Sequence, residues 1–180
     1  MNSFQFSNKA AYMLGVTALC AASLAMGQSS GPSASDKKFV QEALEGGTAE
    51  VQLGQLALQK GNSDDVKRFG QRMVDDHTKL DDQMRQIAQK ERMTPPAGIS
   101  MKDKALAARL KSLSGHSFDK AYIEAIVKDH RADLMAFKKE ASTGTDSSLK
   151  DAASRGSEVI SNHLHMIEDI AKSHSVTVGQ

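Results

Sequence analysis

Cysteine is nearly absent from this chain, with Cys20 as its single representative. One thiol forms no intrachain disulfide, so whatever holds the fold together is non-covalent. Tryptophan is missing, and aromatics amount to six phenylalanines and two tyrosines. There are only three prolines, two of them adjacent at Pro95-Pro96, so long stretches run without a helix breaker. Charge of one sign is also lacking. The 23 basic and 22 acidic residues leave +1, which offers no electrostatic footprint for nucleic acid. No phosphate-cradling loop and no Ser-His-Asp order is visible, and no segment sustains strand alternation.

What is present starts with a targeting pattern. Lys9 is the only charge in the first 27 residues and precedes an apolar run from Ala10 to Met26. A basic start, an apolar middle and small residues at the end describe a secretory signal, with Ala25-Met26-Gly27 as the cleavage triplet. The run is short for a bilayer span, which wants about 20 apolar residues. Lipidation at Cys20 is disfavoured by Leu19, where a small residue is expected. The sequence thus divides into a signal at 1–27, a Ser/Gly/Pro-rich leader at 28–35, a helical domain at 36–174 and a tail at 175–180. Without the signal, 22 basic and 22 acidic residues remain and no cysteine. The expected location is the periplasm or cell envelope, with no stable transmembrane domain in the mature chain.

Four long periodic segments follow. Helix A is expected over Asp36 to Lys60, stopping at Gly61-Asn62. Helix B starts behind Ser63, with Asp64-Asp65 in its first turn, and ends before Pro95-Pro96. A connector carries a short amphipathic helix from Met101 to Leu113. Helix C is expected behind Ser117 as N-cap and ends near Gly144. Helix D runs from Asp146-Ser147 to about Ser173. A–B and C–D are joined by a few residues, so each pair is an antiparallel hairpin. The connector between B and C is long enough to travel back along the bundle, which makes B and C parallel; the alternative is a short-way connection with the small helix packed across one end. The expected architecture is therefore all-α: a ferritin-like four-helix bundle with a long B–C crossover carrying one short helix.

The apolar stripes recur at three- and four-residue steps, the mark of a bundle core. They read Val66, Met73, His77, Leu80, Met84, Ile87 in B; Ile123, Val127, His130, Leu134, Phe137 in C; and Ala152, Gly156, Val159, His163, Met166, Ile170 in D. Each is interrupted by one histidine. In A, Glu50 borders the stripe Val40, Leu44, Gly47, Val51, Gly54, Leu58. With the crossover topology and a rise of about 1.5 Å per residue, Glu50 lies about 15 Å from one end, His77 about 21 Å, His130 about 20 Å and His163 about 16 Å. All four fall within about one helical turn.

A buried carboxylate is costly unless paired or bound. Two arrangements satisfy it: a Glu50–histidine hydrogen-bond cluster, or one divalent transition metal on Glu50, His77, His130 and His163. Di-iron chemistry of the ferritin type needs Glu-x-x-His pairs, and three residues before the histidines stand Val74, Val127 and Ile160, none of which ligates. Asp76 and Asp129 adjoin histidines but sit about 100° away around their helices. His165 and Glu168 are spaced for a surface pair; His116 and His174 are expected in solvent, at a loop and a helix end. Asp119 suits the first-turn dipole of helix C, and Tyr122 is expected in the core with its hydroxyl near the rim.

Several stretches together resemble a bacterial family, domain of unknown function 4142. They are Ala49-Glu50-Val-Gln-Leu-Gly-Gln-Leu-Ala57, Val66-Lys-Arg-Phe69 with Met73-Val-Asp-Asp-His77, Phe118-Asp-Lys-Ala-Tyr122, Val127-Lys-Asp-His130 and His163-Leu164. The likeness runs from Phe39 to about Ala171. It implies a ferritin-like fold, export, and Glu50, His77, His130 and His163 as characteristic polar positions. It implies no reaction, and an enzymatic role is the less favoured reading. Family members carry exported and outer-membrane labels, but helices with charged outer faces do not build a membrane barrel. The functional expectation is an exported bundle whose core cluster binds one divalent metal, in binding or envelope stress protection. The alternative is a structural or partner-binding envelope module with a self-satisfied polar core; self-association or an envelope protein partner fits it.

Overall fold

The computed structural model describes Met1 and residues 31–179; the signal, Cys20 and the first part of the leader lie outside the described residues. Five helices follow one another: α1 (Ala34–Lys60), α2 (Asp64–Lys90), α3 (Met101–Lys111), α4 (Gly115–Thr143) and α5 (Ser147–Ser173). No strand occurs among the described residues. No helix among them is long and apolar enough to cross a membrane.

The helix starts follow local chemistry. Ser33 caps α1 in a reciprocal box with Asp36. Ser100 accepts from Asp103 N at the start of α3, and Asp146 accepts from Leu149 N at the start of α5. Helix α4 departs from expectation: it begins at Gly115, not behind Ser117. Gly115 has φ +57, a left-handed conformation that only glycine adopts without strain. It turns the chain out of α3 three residues early, with Ser114 instead of Ser117 as N-cap, and His116, expected in a loop, becomes an exposed residue of the first turn.

The long helices form a square in which α1 packs on α2, α2 on α5, α5 on α4 and α4 on α1, with α3 lying on α1 and α4. The crossover is therefore the long way back. At one end, Asn62 N and Ser63 N, in the turn between α1 and α2, donate to the two oxygens of Asp119 on α4 at 2.8 and 3.0 Å. The starts of α2 and α4 are thus neighbours. The end of α5 joins them, since His174 Nε2 lies 2.9 Å from Asp65 Oδ2; His174 is tied rather than free. At the opposite end Asp36 on α1 accepts from Thr145 Oγ1 at 2.6 Å and from Asp146 N at 3.1 Å, in the turn between α4 and α5. Each hairpin's turn is held by a buried aspartate of the other hairpin. Asp119, placed by sequence as a dipole partner, acts mainly across the bundle.

The seam of α1 and α2 is a close backbone approach. A Cβ on Gly70 would lie 2.8 Å from Gly54 O, and one on Gly54 would lie 2.7 Å from Gly70 O. Because the obstacle is backbone, neither position can yield by a side-chain rotation. This closeness rotates α1 so that Ala49, Glu50, Leu53 and Leu56 are buried, while Val51 and Leu58 are only half-buried. Glu50 is consequently in the middle of the inward face rather than on its border. In α5 the buried line runs through Ile160 and Ile167 rather than Val159 and Met166. Beyond α5, Val176 N bonds to Ala171 O, and Val176 and Val178 pack on the core.

Two substitutions test this frame. Asp119→Ala removes the acceptor of two backbone N–H groups and is expected to cost about 2–3 kcal/mol, read by urea denaturation. Gly70→Ala is expected to cost about 1–3 kcal/mol through overpacking at the seam, with helix content by circular dichroism unchanged.

Candidate functional site

Three helices each carry one inward histidine at the same level. His77 from α2, His130 from α4 and His163 from α5 are all buried. Their ring centroids form a nearly equilateral triangle of 5.6 Å (His77–His130), 5.3 Å (His77–His163) and 5.6 Å (His130–His163). One ligand nitrogen from each lies within 4.8 Å of the other two. Phe69 covers this layer on the side of Tyr122, its ring 6.5 Å from His130 and 6.0 Å from His163.

Most ring nitrogens have no partner. His77 Nε2, His130 Nε2 and His163 Nδ1 are buried without a hydrogen bond, and His130 has only the backbone of Ile126, one turn earlier, as a weakly aligned partner. Burial pushes each imidazole down from the usual value to about 4, so all three are neutral near pH 7. Neutral imidazole is the form that offers a lone pair.

Two carboxylates stand behind the triad. Asp76 Oδ2 lies 3.1 Å from His163 Nε2. Burial pushes the Asp76 carboxyl up, but the hydrogen bonds from His163 and Arg72 outweigh this and hold it below the ordinary range. An ionised carboxylate only accepts, so Nε2 of His163 carries the proton and Nδ1 keeps its lone pair. Glu50 Oε1 lies 3.3 Å from His130 Nδ1 without hydrogen-bond alignment, and Oε2 is buried with no partner. Burial raises Glu50 to about 7 against the attraction of His77. The four residues singled out by sequence therefore meet at one level, with Glu50 beside the histidine set rather than within it.

Other expectations are redrawn. Asp76 does avoid the face of His77, as helix geometry demands, but the α2–α5 seam carries it to His163. No intrahelical spacing could have exposed that pair, since it joins residues 87 apart. Glu168 pairs with Arg131 at 2.6 Å instead of His165, which is exposed. The Tyr122 hydroxyl is not at the rim: the residue is fully buried, stacked on Phe118 at 5.8 Å, and its oxygen has no partner. Asp133, one turn beyond His130, escaped the sequence reading. Burial raises it to about 7, reinforced by the charge of Glu50.

Two openings reach the layer. An acidic groove between α1 and α4, under the start of α3, is bordered by Glu50, Asp129 and Asp133, with Lys102 paired to Asp129 at 2.8 Å. On the other side His77 forms part of the wall of a chamber of about 250 Å³ that extends towards Phe39 and Phe137.

The displaced ionisations predict a pH dependence. The histidines bind protons in the unfolded chain below about 6.5 and in the fold only near 4, so they make stability fall as pH drops through that window. Glu50 and Asp133 act oppositely: the fold retains their protons up to about 7, whereas the unfolded chain releases them near the ordinary carboxylate range. The opposing contributions partly offset in the metal-free protein. The double variant Glu50→Gln, Asp133→Asn is expected to lose stability more steeply than the native chain between pH 6.5 and 4.5, measured by urea denaturation at each pH. Equal slopes would contradict these ionisation states.

A family model described as domain of unknown function (DUF4142) matches residues 21–170. No curated protein and no solved structure matches the chain. The match takes in all four long helices up to Ile170 and every residue of the polar layer. The chain belongs to the DUF4142 family.

Proposed function

We propose that this protein is an exported cell-envelope protein that binds one divalent transition metal on His77, His130 and His163, in metal handling or stress protection. The observation that carries this reading is the set of unpartnered nitrogens: His77 Nε2, His130 Nε2 and His163 Nδ1 are buried, neutral and without hydrogen bonds. An unsatisfied buried polar group costs about 1–3 kcal/mol, and one metal ion would satisfy all three atoms together.

Three imidazoles suit zinc or copper, and they leave a further coordination position open. Metal–nitrogen bonds of about 2.0–2.1 Å require nitrogens about 3.3 Å apart in a tetrahedral site, so binding draws the rings inward. Asp76 behind His163 and Glu50 behind His130 correspond to the carboxylate partners that orient metal-bound histidines and raise their basicity. Glu50 then serves as a supporting group, which fits its distance from the histidine set. Export rests on the signal pattern in residues 1–27.

The untagged protein, stripped and reconstituted with zinc, copper, iron and manganese in turn, tests the proposal by bound-metal analysis. One equivalent of zinc or copper is expected, with unfolding free energy raised by about 2.7 kcal/mol at a free metal concentration one hundred times Kd. His77→Ala and His163→Ala should abolish stoichiometric binding, whereas Asp76→Asn should weaken it by about 10–100-fold. If none of the four metals binds the folded native chain, the layer is a structural device that fixes helix register.

A further inference from the structure

The core is divided in two. One apolar cluster surrounds Phe69, Phe118, Tyr122 and Ile126; another surrounds Phe39, Leu44, Met84 and Leu149. The chamber beside His77 lies between the histidine layer and the second cluster. Well-packed seams are filled to crystal-like density, but this one is left open to solvent along α4, where Ala132 and Ala136 are exposed, and small residues line it from three helices. They are Ala43 and Gly46 on α1, Ala132 and Ala136 on α4, and Ala152 on α5. The resulting 250 Å³ exceeds the roughly 150 Å³ that suffices to hold a benzene molecule.

The walls are apolar with charge of one sign. Phe39 and Phe137 meet edge to face, with centroids 5.0 Å apart, at the far end. Every charged residue lining the chamber is acidic: Glu42, Asp81 and Asp133. Asp81 is built in rather than incidental. Any side chain at position 47 would overlap its carboxylate, so Gly47 makes the room it occupies, and Thr48 Oγ1 donates to it at 3.2 Å. Asp133 lines both this chamber and the acidic groove.

We propose that the chamber is a binding site for a small cationic amine with an apolar, single-ring-sized body, its ammonium directed to Asp81 and Asp133 and its body towards Phe39 and Phe137. An apolar pocket with a few convergent polar groups is the ordinary form of a small-molecule site. An ammonium is the head group that the two inward carboxylates select, and a carboxylate ligand is repelled by them. The proposal rests on the chamber and not on metal, although an amine bound there would sit alongside His77.

The probes are benzylamine, benzyl alcohol, toluene and benzoate, titrated calorimetrically into the full protein at pH 8, metal-free and metal-loaded. Benzylamine is expected to bind at one equivalent, at least about tenfold more tightly than benzyl alcohol, a difference of about 1.4 kcal/mol. Benzoate is expected not to bind. Asp133→Asn should remove most of the benzylamine preference and leave toluene affinity unchanged. Ala152→Leu, which adds bulk at a buried position of the chamber wall, should abolish binding of all four probes while the protein still takes up metal. Should that variant fail to fold, the ranking of probes on the native chain decides. Absence of benzylamine binding, or equal affinity for benzylamine and benzyl alcohol, would overturn the proposal. Because metal uptake is measured separately, failure here leaves the metal reading intact, and the converse holds as well.

Discussion

Register is the constraint on which this structure depends, and two buried aspartates set it. Asp36 receives N–H and O–H donors from the α4–α5 turn, and Asp119 receives backbone N–H groups from the α1–α2 turn. Burial alone would raise the Asp36 carboxyl, but donors from Thr145 and Ser33 hold it well below the ordinary range. The two residues begin similar segments, Asp36-Lys-Lys-Phe39-Val40 and Asp119-Lys-Ala-Tyr122-Ile123, at opposite ends of the bundle. Each hairpin thereby clamps the other. A helix rises about 1.5 Å per residue, so a slip of one turn in either hairpin would take a histidine out of the layer. The clamps keep the three rings at one depth in the bundle.

The layer concentrates ionisable groups where water is scarce. Its histidines are driven neutral, and Glu50 and Asp133 are driven towards protonation, by the same desolvation, in opposite directions in pH. A core of this kind contributes little to stability by its own hydrogen bonds, because most of its nitrogens have none. Stability comes from the two apolar clusters on either side. The polar middle is therefore where the molecule can be occupied by something else without unmaking the fold. Phe69 seals it on one side, while the chamber and the acidic groove leave it reachable on others.

Much of this was legible in the chain. Apolar spacing, the Gly61-Asn62 and Gly144 breaks and the length of the connector lead to the helices and the crossover. The crossover in turn leads to a common depth for Glu50, His77, His130 and His163. Boundaries were less legible where one residue's backbone decided them, as with Gly115 in its left-handed conformation. Helix rotation was also hidden: the stripe through Val51 and Leu58 looked as apolar as the line that is buried, and the Gly54–Gly70 approach chose between them. Asp133 carried no signal, because a carboxylate three residues from a histidine on a long helix is ordinarily solvated.

By itself, then, the sequence determined which residues lie at which height along each helix. Height depends only on position in the chain and on the fixed rise of a helix. The tertiary structure decided what those residues meet at that height. Asp76 reaches His163 rather than His77, Glu50 stands beside His130 rather than among the three nitrogens, and alanines on separate helices face each other across a space. These are facts of helix rotation and separation, and both are set by side chains and backbone packed across the seams, which no spacing along one helix records.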